Sequence, residues 1–210
     1  MPDISVSLIR AFEGPRHARL ERIWDRIIDQ HKDRVQFQIY DNIADRCGHA
    51  EMLDAMWREE LRRPERYALF TEFDFLPADG WLTLPRAAVE ATQYCTRNPH
   101  TLALEPHPYA GAWYVMLDKR ALLTGPIRQV ERLRRAHPFA PAGPHNDPAN
   151  GLLDVLRACG VEGHLLEIHD CMSRHYGIEV VGRGEHLFWS RHYNDVPSMR
   201  PAGFCLGDIQ

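Results

Sequence analysis

The chain has 210 residues, which is enough to bury one sizeable hydrophobic core. Hydrophobic residues make up 44% of it and charged residues 26%, which is ordinary for a globular protein. The formal net charge of −4 argues against a nucleic-acid partner, because binding to a phosphate backbone needs a basic surface. We expect one domain over residues 1–210, with a histidine-rich C-terminal extension from about residue 169.

The sequence carries no targeting or disulfide signal. It has no apolar run of about eighteen residues, the length that would predict a membrane span. Its first residues, MPDISVSLIR, lack the basic and long apolar segments of a signal peptide. The five cysteines are scattered and never spaced C-x-x-C, which is typical of reduced thiols. These features favour a cytoplasmic location.

The first part of the chain alternates between strand and helix patterns. Short apolar or alternating runs predict strands at Ile4–Phe12, Val35–Tyr40 and Tyr67–Phe73. Between them, apolar residues three and four positions apart predict amphipathic helices from His17 and over about Ala50–Arg63. Because each connection is too long for a hairpin, we expect parallel strands joined by right-handed crossovers.

Two acidic residues fall at the predicted carboxyl ends of these strands. Asp41 follows the second strand and Asp74 the third. Parallel α/β sheets bind ligands at this edge. The position of the two acids is therefore the first indication of function.

The second half of the chain is less regular. Periodicity predicts three helices, at Leu84–Asn98, Arg128–His137 and Asn150–Cys159, and Gly160 is expected to end the last of them. Pro138–Pro148 is rich in proline and is predicted to be a long loop. Four short strands are predicted, at Thr101–Glu105, Ala112–Leu117, His164–Ile168 and Ile178–Val181.

The segment YALFTEFDFLPADGWL contains two carboxylates that suit a metal ion. Glu72 and Asp74 are separated by one residue, so at the end of a strand both face the same side. Oxygen ligands of this kind suit Mg²⁺ or Mn²⁺, which takes further ligands from substrate phosphates. An acid-x-acid pair is also compatible with two solvated acids at a strand edge.

The order of these features resembles the GT-A fold of family 2 glycosyltransferases, over roughly Ile4–Leu166. That family has a strand ending in an Asp that contacts the nucleotide base, and later a strand ending in a DxD-type metal motif. The matching segments here are IYDN, which contains Asp41 and Asn42, and EFDFLPADGWL, which begins at Glu72. The resemblance implies a Rossmann-like α/β fold with a mixed, mostly parallel sheet flanked by helices.

Three further segments extend the resemblance. GAWYVML, which starts at Gly111 and Ala112, is similar to the strand beside the donor sugar, and a short helix is expected after it from Asp118. HNDPAN is similar to the acidic motif that precedes a helix and supplies the catalytic base, which would be Asp147. The same aspartate, followed by a proline, is also a standard helix N-cap, and the two roles are compatible.

The resemblance also implies a metal-binding histidine near the C-terminus. His186, within the aromatic segment GEHLFWSRHY, is the first candidate, followed by His192 and His175. Arg191 or Arg183 would contact the diphosphate, since guanidinium groups bind oxyanions through two donors.

The resemblance thus implies a glycosyltransferase that depends on Mn²⁺ or Mg²⁺ and transfers a sugar, with inversion, from a nucleoside-diphosphate sugar to an acceptor hydroxyl. The sugar, the base, the acceptor and the oligomeric state do not follow from the sequence.

Three alternatives stay open. One is a non-catalytic, sugar-binding relative, because RAFEG replaces the usual turn after the first strand. Another is a nucleotidyltransferase, although the loop from Glu13 to Arg16 has one glycine and one basic residue where that class has a glycine-rich basic loop. The third, a histidine-ligated metallohydrolase, would need a motif such as H-E-x-x-H, which the sequence lacks.

Overall fold

A computed structural model describes most of the chain. The described residues are 3–10, 15–41, 49–73, 75–77, 81–97, 104–139, 149–166, 168–170, 178–181 and 184–187. No helix within them is long and apolar enough to cross a membrane.

The described residues form strands and helices in an alternating order. The strands are β1 (Ile4–Arg10), β2 (Val35–Asp41), β3 (Tyr67–Glu72), β4 (Phe75–Pro77), β5 (Val89–Arg97), β6 (Leu104–Asp118), β7 (Gly163–Leu166), β8 (Ile168–Asp170), β9 (Ile178–Val181) and β10 (Gly184–Leu187). The helices are α1 (Pro15–His31), α2 (His49–Glu60), α3 (Lys119–Leu123), α4 (Ile127–Arg135) and α5 (Ala149–Ala158).

The main sheet has six strands in the order β2-β1-β3-β6-β5-β7. β1 pairs in parallel with β2 and β3, and β5 pairs in parallel with β7. β6 is antiparallel to both β3 and β5, so it alone runs against the other five strands. The predicted α/β class, with a mixed and mostly parallel sheet, is confirmed. A smaller antiparallel sheet has the order β4-β10-β9-β8.

Helices cover both faces of the six-stranded sheet because side chains alternate along each strand. On β1, Val6 and Leu8 join one buried cluster, which includes Trp24 of α1. Ile9 points to the opposite face and joins a second cluster formed with α2, α4 and α5. We call these the α1 face and the α2 face of the sheet.

A buried polar network ties the start of the sheet to two helices on the α2 face. The carboxylate of Glu60 is fully buried and accepts hydrogen bonds from the hydroxyls of Ser5 and Ser7, the latter at 2.7 Å. The ammonium of Lys119 lies 3.5 Å from the same carboxylate and donates to the Glu60 carbonyl at 2.8 Å. Burial lowers the pKa of Lys119, and the nearby Glu60 carboxylate opposes that shift.

The local periodicity predicted most elements correctly. The first three strands, the helices between them and the charged helix α4 all form close to the expected residues. The short helix after Asp118 forms because its carboxylate accepts backbone N–H bonds from Arg120 and Ala121. α5 ends at Ala158, and Gly160 just beyond it has a φ of 70°, as expected for the glycine that stops a helix.

The helix predicted at Leu84–Asn98 is wrong, because residues Val89–Arg97 form strand β5. Val89 to Thr92 are all fully buried between β6 and β7, and the β-branched Val89 and Thr92 suit a strand. Tertiary pairing therefore decides the conformation here.

The two strands predicted at Thr101–Glu105 and Ala112–Leu117 are one strand, β6, within the described residues. Two prolines and a glycine lie between the two predicted strands, and the β5–β6 ladder accommodates them through register shifts at Ala91/Thr92 and Gln93/Cys95. The short strands β4 and β10 were not predicted.

Candidate functional site

Strands β1, β2 and β3 end side by side at one edge of the main sheet. Arg10, the last residue of β1, is in register with Asp41 at the end of β2. Glu72 ends β3 and is in register with Ile9. Two of the acidic residues predicted to bind the donor thus lie at the same carboxyl edge, one on each side of β1.

Asp41 and Glu72 point to opposite faces of the sheet, because Glu72 shares the face of Ile9 and Asp41 that of Arg10. On the α1 face, the Arg10 Nη1 atom lies 3.1 Å from Asp41 Oδ2, and its Nε lies 2.5 Å from Oε1 of Glu21 on α1. Arg10 therefore bridges two carboxylates. It was not predicted as a site residue.

On the α2 face, Glu72 contacts His49, which was not predicted as a site residue. His49 Nε2 lies 2.7 Å from Glu72 Oε1, and the Glu72 side chain is 17% exposed against 42% for His49. His49 is the first residue of α2, so the carboxylate also lies near a helix N-terminus, whose partial positive charge favours anions. No sequence motif links these residues, which are distant in the chain.

The residue that precedes Asp74 is held by two backbone hydrogen bonds. The Phe73 N–H donates to the Ile9 carbonyl at 3.1 Å, which extends the β1–β3 ladder beyond Glu72. The Phe73 carbonyl accepts from the indole Nε1 of Trp24 at 3.0 Å, and both side chains are buried. Asp74 itself lies outside the described residues.

The residue that follows Asp74 is fixed by a buried aromatic cluster. The fully buried ring of Phe75 packs against Tyr114, with ring centroids 5.6 Å apart. The Tyr114 hydroxyl donates to the Trp81 carbonyl at 2.8 Å, and the Trp81 ring packs edge-on against Trp24 at 5.7 Å. The segment that carries the predicted metal motif is therefore clamped on both sides of Asp74.

The small residues of β6 lie beside this segment. The last paired residues of β3 and β6 are Thr71 and Tyr114, and beyond them β6 continues with β5 alone. The residues of β6 that precede Tyr114, which include Gly111 and Ala112, therefore extend past the last β3 pair. Gly111 and Ala112 are buried, and Thr92 Oγ1 donates to the Gly111 carbonyl at 3.0 Å. Both predicted sugar-site residues thus lie on the part of β6 that extends beyond Thr71, toward the carboxyl end of β3.

His186 lies in β10, where its backbone is in register with Phe75 on β4. This places it opposite the residue that follows Asp74 in sequence. Its side chain is not described. The other predicted site residues, together with the alternative candidates, lie outside the described residues; they are Asn42, Asp147, His175, Arg183, Arg191 and His192.

Helix α5 begins toward this same edge. A short connection joins its C-terminus to Gly163, the first residue of β7, and β7 runs parallel to β5. The opposite end of α5, at the fully buried Ala149, is therefore directed to the carboxyl edge of the sheet. Asp147 precedes Ala149 by two positions in the sequence.

Among the described residues at the edge, the Glu72 carboxylate is a group that suits a divalent cation. Within the described part of the chain, no three His, Cys, Asp or Glu residues form a metal-binding group. Glu72 supplies a carboxylate and His49 an imidazole in contact with it. Carboxylate oxygens suit Mg²⁺ and Mn²⁺, and the Nε2 atom of His49 is engaged by the Glu72 carboxylate.

Comparisons with known proteins find structural likeness but no sequence relative. No protein-family model matches the chain, and no curated protein matches it. The catalytic domain of Drosophila β1,4-galactosyltransferase 7 in complex with xylobiose is similar with a TM-score of 0.49 and 9% identity, covering 100% of this chain and 78% of that chain. A mutant of that enzyme in complex with manganese, UDP-Gal and xylobiose gives 0.47 and 8%, covering 98% and 77%. At these TM-scores the likeness carries no functional argument.

The clamp around Phe73 makes a testable prediction about local stability. Trp24→Phe removes the indole donor and leaves the buried Phe73 carbonyl without it, so we expect the free energy of unfolding to fall by about 1–3 kcal/mol. Amide hydrogen exchange at Phe73 and Phe75 should become faster.

Trp57→Phe is the matched control, because its indole donates to the Leu133 carbonyl at 3.1 Å in the other buried cluster. It should cost similar stability and leave exchange at Phe73 and Phe75 unchanged. Equal rates of amide exchange at Phe73 in both variants would contradict the proposal that the Trp24 hydrogen bond holds this segment in place.

Proposed function

We propose that the chain is a metal-dependent glycosyltransferase of the GT-A type, which transfers a sugar with inversion from a nucleoside-diphosphate sugar to an acceptor hydroxyl. The observation that supports this proposal is the arrangement of one sheet edge. Asp41 and Glu72 end strands on either side of β1 at this edge, the part of β6 that holds Gly111 and Ala112 extends past the last β3 pair, and Phe73, the residue before Asp74, is held by Trp24. The domain is proposed to span residues 1–210.

The diphosphate of the donor needs positive charge, because Glu72 and Asp74 are both anionic. We assign Asp74, Glu72 and His186 to hold the cation. Bound Mn²⁺ or Mg²⁺ would offset the charge that develops on the leaving diphosphate. Arg191 is assigned to the same phosphates through its paired N–H donors.

The nucleoside and the sugar are assigned to the residues around this centre. Asp41, held in one orientation by Arg10, accepts a hydrogen bond from the base or ribose, with Asn42 beside it in sequence. Gly111 and Ala112 carry no long side chain, so the sugar can approach the backbone of β6 closely.

His49 is assigned as a positioning residue. Its contact with one oxygen of Glu72 holds that carboxylate in a single orientation and so reduces the ordering needed when a ligand binds. His49 does not replace any of the assigned metal ligands.

Asp147 is assigned as the general base that removes the proton of the acceptor hydroxyl. The direction of α5 supports this, because the helix begins toward the edge at which the donor binds. Proton removal as the new glycosidic bond forms leaves the acceptor oxygen neutral in the product.

The first prediction from this proposed function concerns metal dependence. We expect UDP, GDP or ADP to bind in the presence of Mn²⁺, and the preferred nucleotide to bind at least roughly tenfold more weakly with chelator, a change of about 1.4 kcal/mol. Isothermal calorimetry measures both conditions.

In Asp74→Asn, nucleotide affinity should be the same with Mn²⁺ and with chelator. Asp33→Asn changes an exposed carboxylate in the turn between α1 and β2, and it should keep the parental difference in affinity. Equal nucleotide affinity with and without Mn²⁺ in the parent protein would refute the metal-bridged site.

The second prediction concerns His49. His49→Ala should weaken Mn²⁺ binding, measured in the presence of the nucleotide, by about 10–100-fold, as is typical when the partner of a metal-binding carboxylate is removed. Manganese paramagnetic resonance reports the free ion directly and does not depend on turnover.

His137→Ala provides the control, because His137 also contacts a carboxylate, Asp54, with Nδ1 3.3 Å from Oδ2. This pair joins α2 to the segment that follows α4. Parental Mn²⁺ affinity in His49→Ala would show that His49 has no positioning role.

The third prediction separates the two roles of Asp147. If it is the general base, Asp147→Asn should keep nucleotide and metal affinity while transfer falls by roughly 10²–10⁴-fold. Asn is as good an N-cap as Asp, so a purely structural residue would leave turnover nearly unchanged. Single-turnover transfer to the acceptor, with nucleotide affinity measured in parallel, distinguishes the two.

A further inference from the structure

A groove lined by arginines lies between the C-terminal ends of α2 and α4. Its volume is about 440 Å³, and Leu61, which is 5% exposed, lies among its lining residues. The charged lining consists of Arg58 and Arg62 from the α2 side and Arg134 and Arg135 from α4.

The two walls of this groove are fixed to each other. The buried indole Nε1 of Trp57 on α2 donates to the Leu133 carbonyl on α4 at 3.1 Å. Just beyond α4, the backbone N–H of Phe139 donates to the Asp54 carboxylate of α2 at 2.9 Å. The backbone that carries the arginines is therefore held in place before a ligand binds, which reduces the cost of ordering the groove on binding.

The groove carries more positive charge than its surroundings neutralise. Two helix C-termini supply partial negative charges that sum to about one elementary charge. Arg135 lies 3.4 Å from the carboxylate of Glu131, and Arg58 contacts the ring of His137. No carboxylate in the described ranges pairs with Arg62 or Arg134. The partial negative charges of the two helix ends therefore neutralise only part of the positive charge of these four arginines.

The groove is separate from the edge assigned to the sugar donor. α2 begins at His49, which contacts Glu72 at that edge, and Arg58 lies in the last turn of the same helix. A helix of this length spans roughly 18 Å. Nucleotide binding at the carboxyl edge therefore does not account for the arginines.

We propose that this groove is a second binding site, which takes a ligand carrying two or more phosphate groups and needs no metal ion. Each guanidinium presents several N–H donors in a plane that matches two oxygens of a phosphate. Four such groups around one small groove suit a multivalent anion. The site is independent of the proposed transferase activity.

The test uses inorganic tripolyphosphate with chelator present, so that metal-dependent binding at the sheet edge does not contribute. The full-length protein should bind it, measured by calorimetry at about 0.1 M salt, where charges about 10 Å apart are largely screened. The double variant Arg62→Gln/Arg134→Gln should bind at least tenfold more weakly. Both side chains are exposed, and unchanged thermal unfolding of the variant confirms that it is folded.

The matched control is Arg22→Gln/Arg120→Gln, which removes two exposed charges outside the groove and should bind as the parent does. Equal weakening in both double variants, or no binding by the parent, overturns the proposal. A second arm uses phosphatidylcholine vesicles with and without phosphatidylserine and a phosphoinositide. Vesicle binding that depends on Arg62 and Arg134 supports the site and identifies a lipid headgroup as the source, whereas binding of tripolyphosphate alone identifies a soluble ligand.

Discussion

The hydrogen bond from the Trp24 indole to the Phe73 carbonyl is the constraint on which the candidate site depends. It joins the middle of α1 to the backbone just beyond β3, and both side chains are buried. An unpaired buried carbonyl is costly, so this bond favours one position of the chain at that point. Since Phe73 also donates to Ile9, the carboxyl ends of β1 and β3 are fixed to α1 together.

Much of the first half of the fold could be predicted from the sequence because its signals are local. The strand at Val35–Asp41 alternates in polarity, and α1 repeats its apolar residues every three or four positions. Local signals also predicted that acids would lie at the carboxyl ends of neighbouring strands. Local signals failed at β5, where Val89 and Thr92 are buried by pairing with β6 and β7, two strands that follow later in the chain.

The remaining details of the site depend on register, which the sequence does not encode locally. The contacts of Arg10 with Asp41 and of His49 with Glu72 join residues on different elements. The face on which each strand-end acid lies depends on the register between β1 and the strand that carries that acid. A shift of one residue in either register would move the acid to the opposite face of the sheet. For the same reason the sequence could not indicate that arginines from α2 and α4 converge on one groove.

The two faces of the edge constrain how the proposed donor would lie. Asp41 and Arg10 belong to the α1 face, whereas Glu72 and His49 belong to the α2 face. A nucleoside diphosphate that uses Asp41 and the metal segment together must therefore cross over the carboxyl end of β1. The strands are about 4.8 Å apart, so this crossing spans roughly 10 Å between β2 and β3, a distance that suits a nucleoside joined to two phosphates. The end of β1, where Arg10 lies, would then be beneath the centre of the ligand. Arg10 would both orient Asp41 and offset part of the negative charge at the edge.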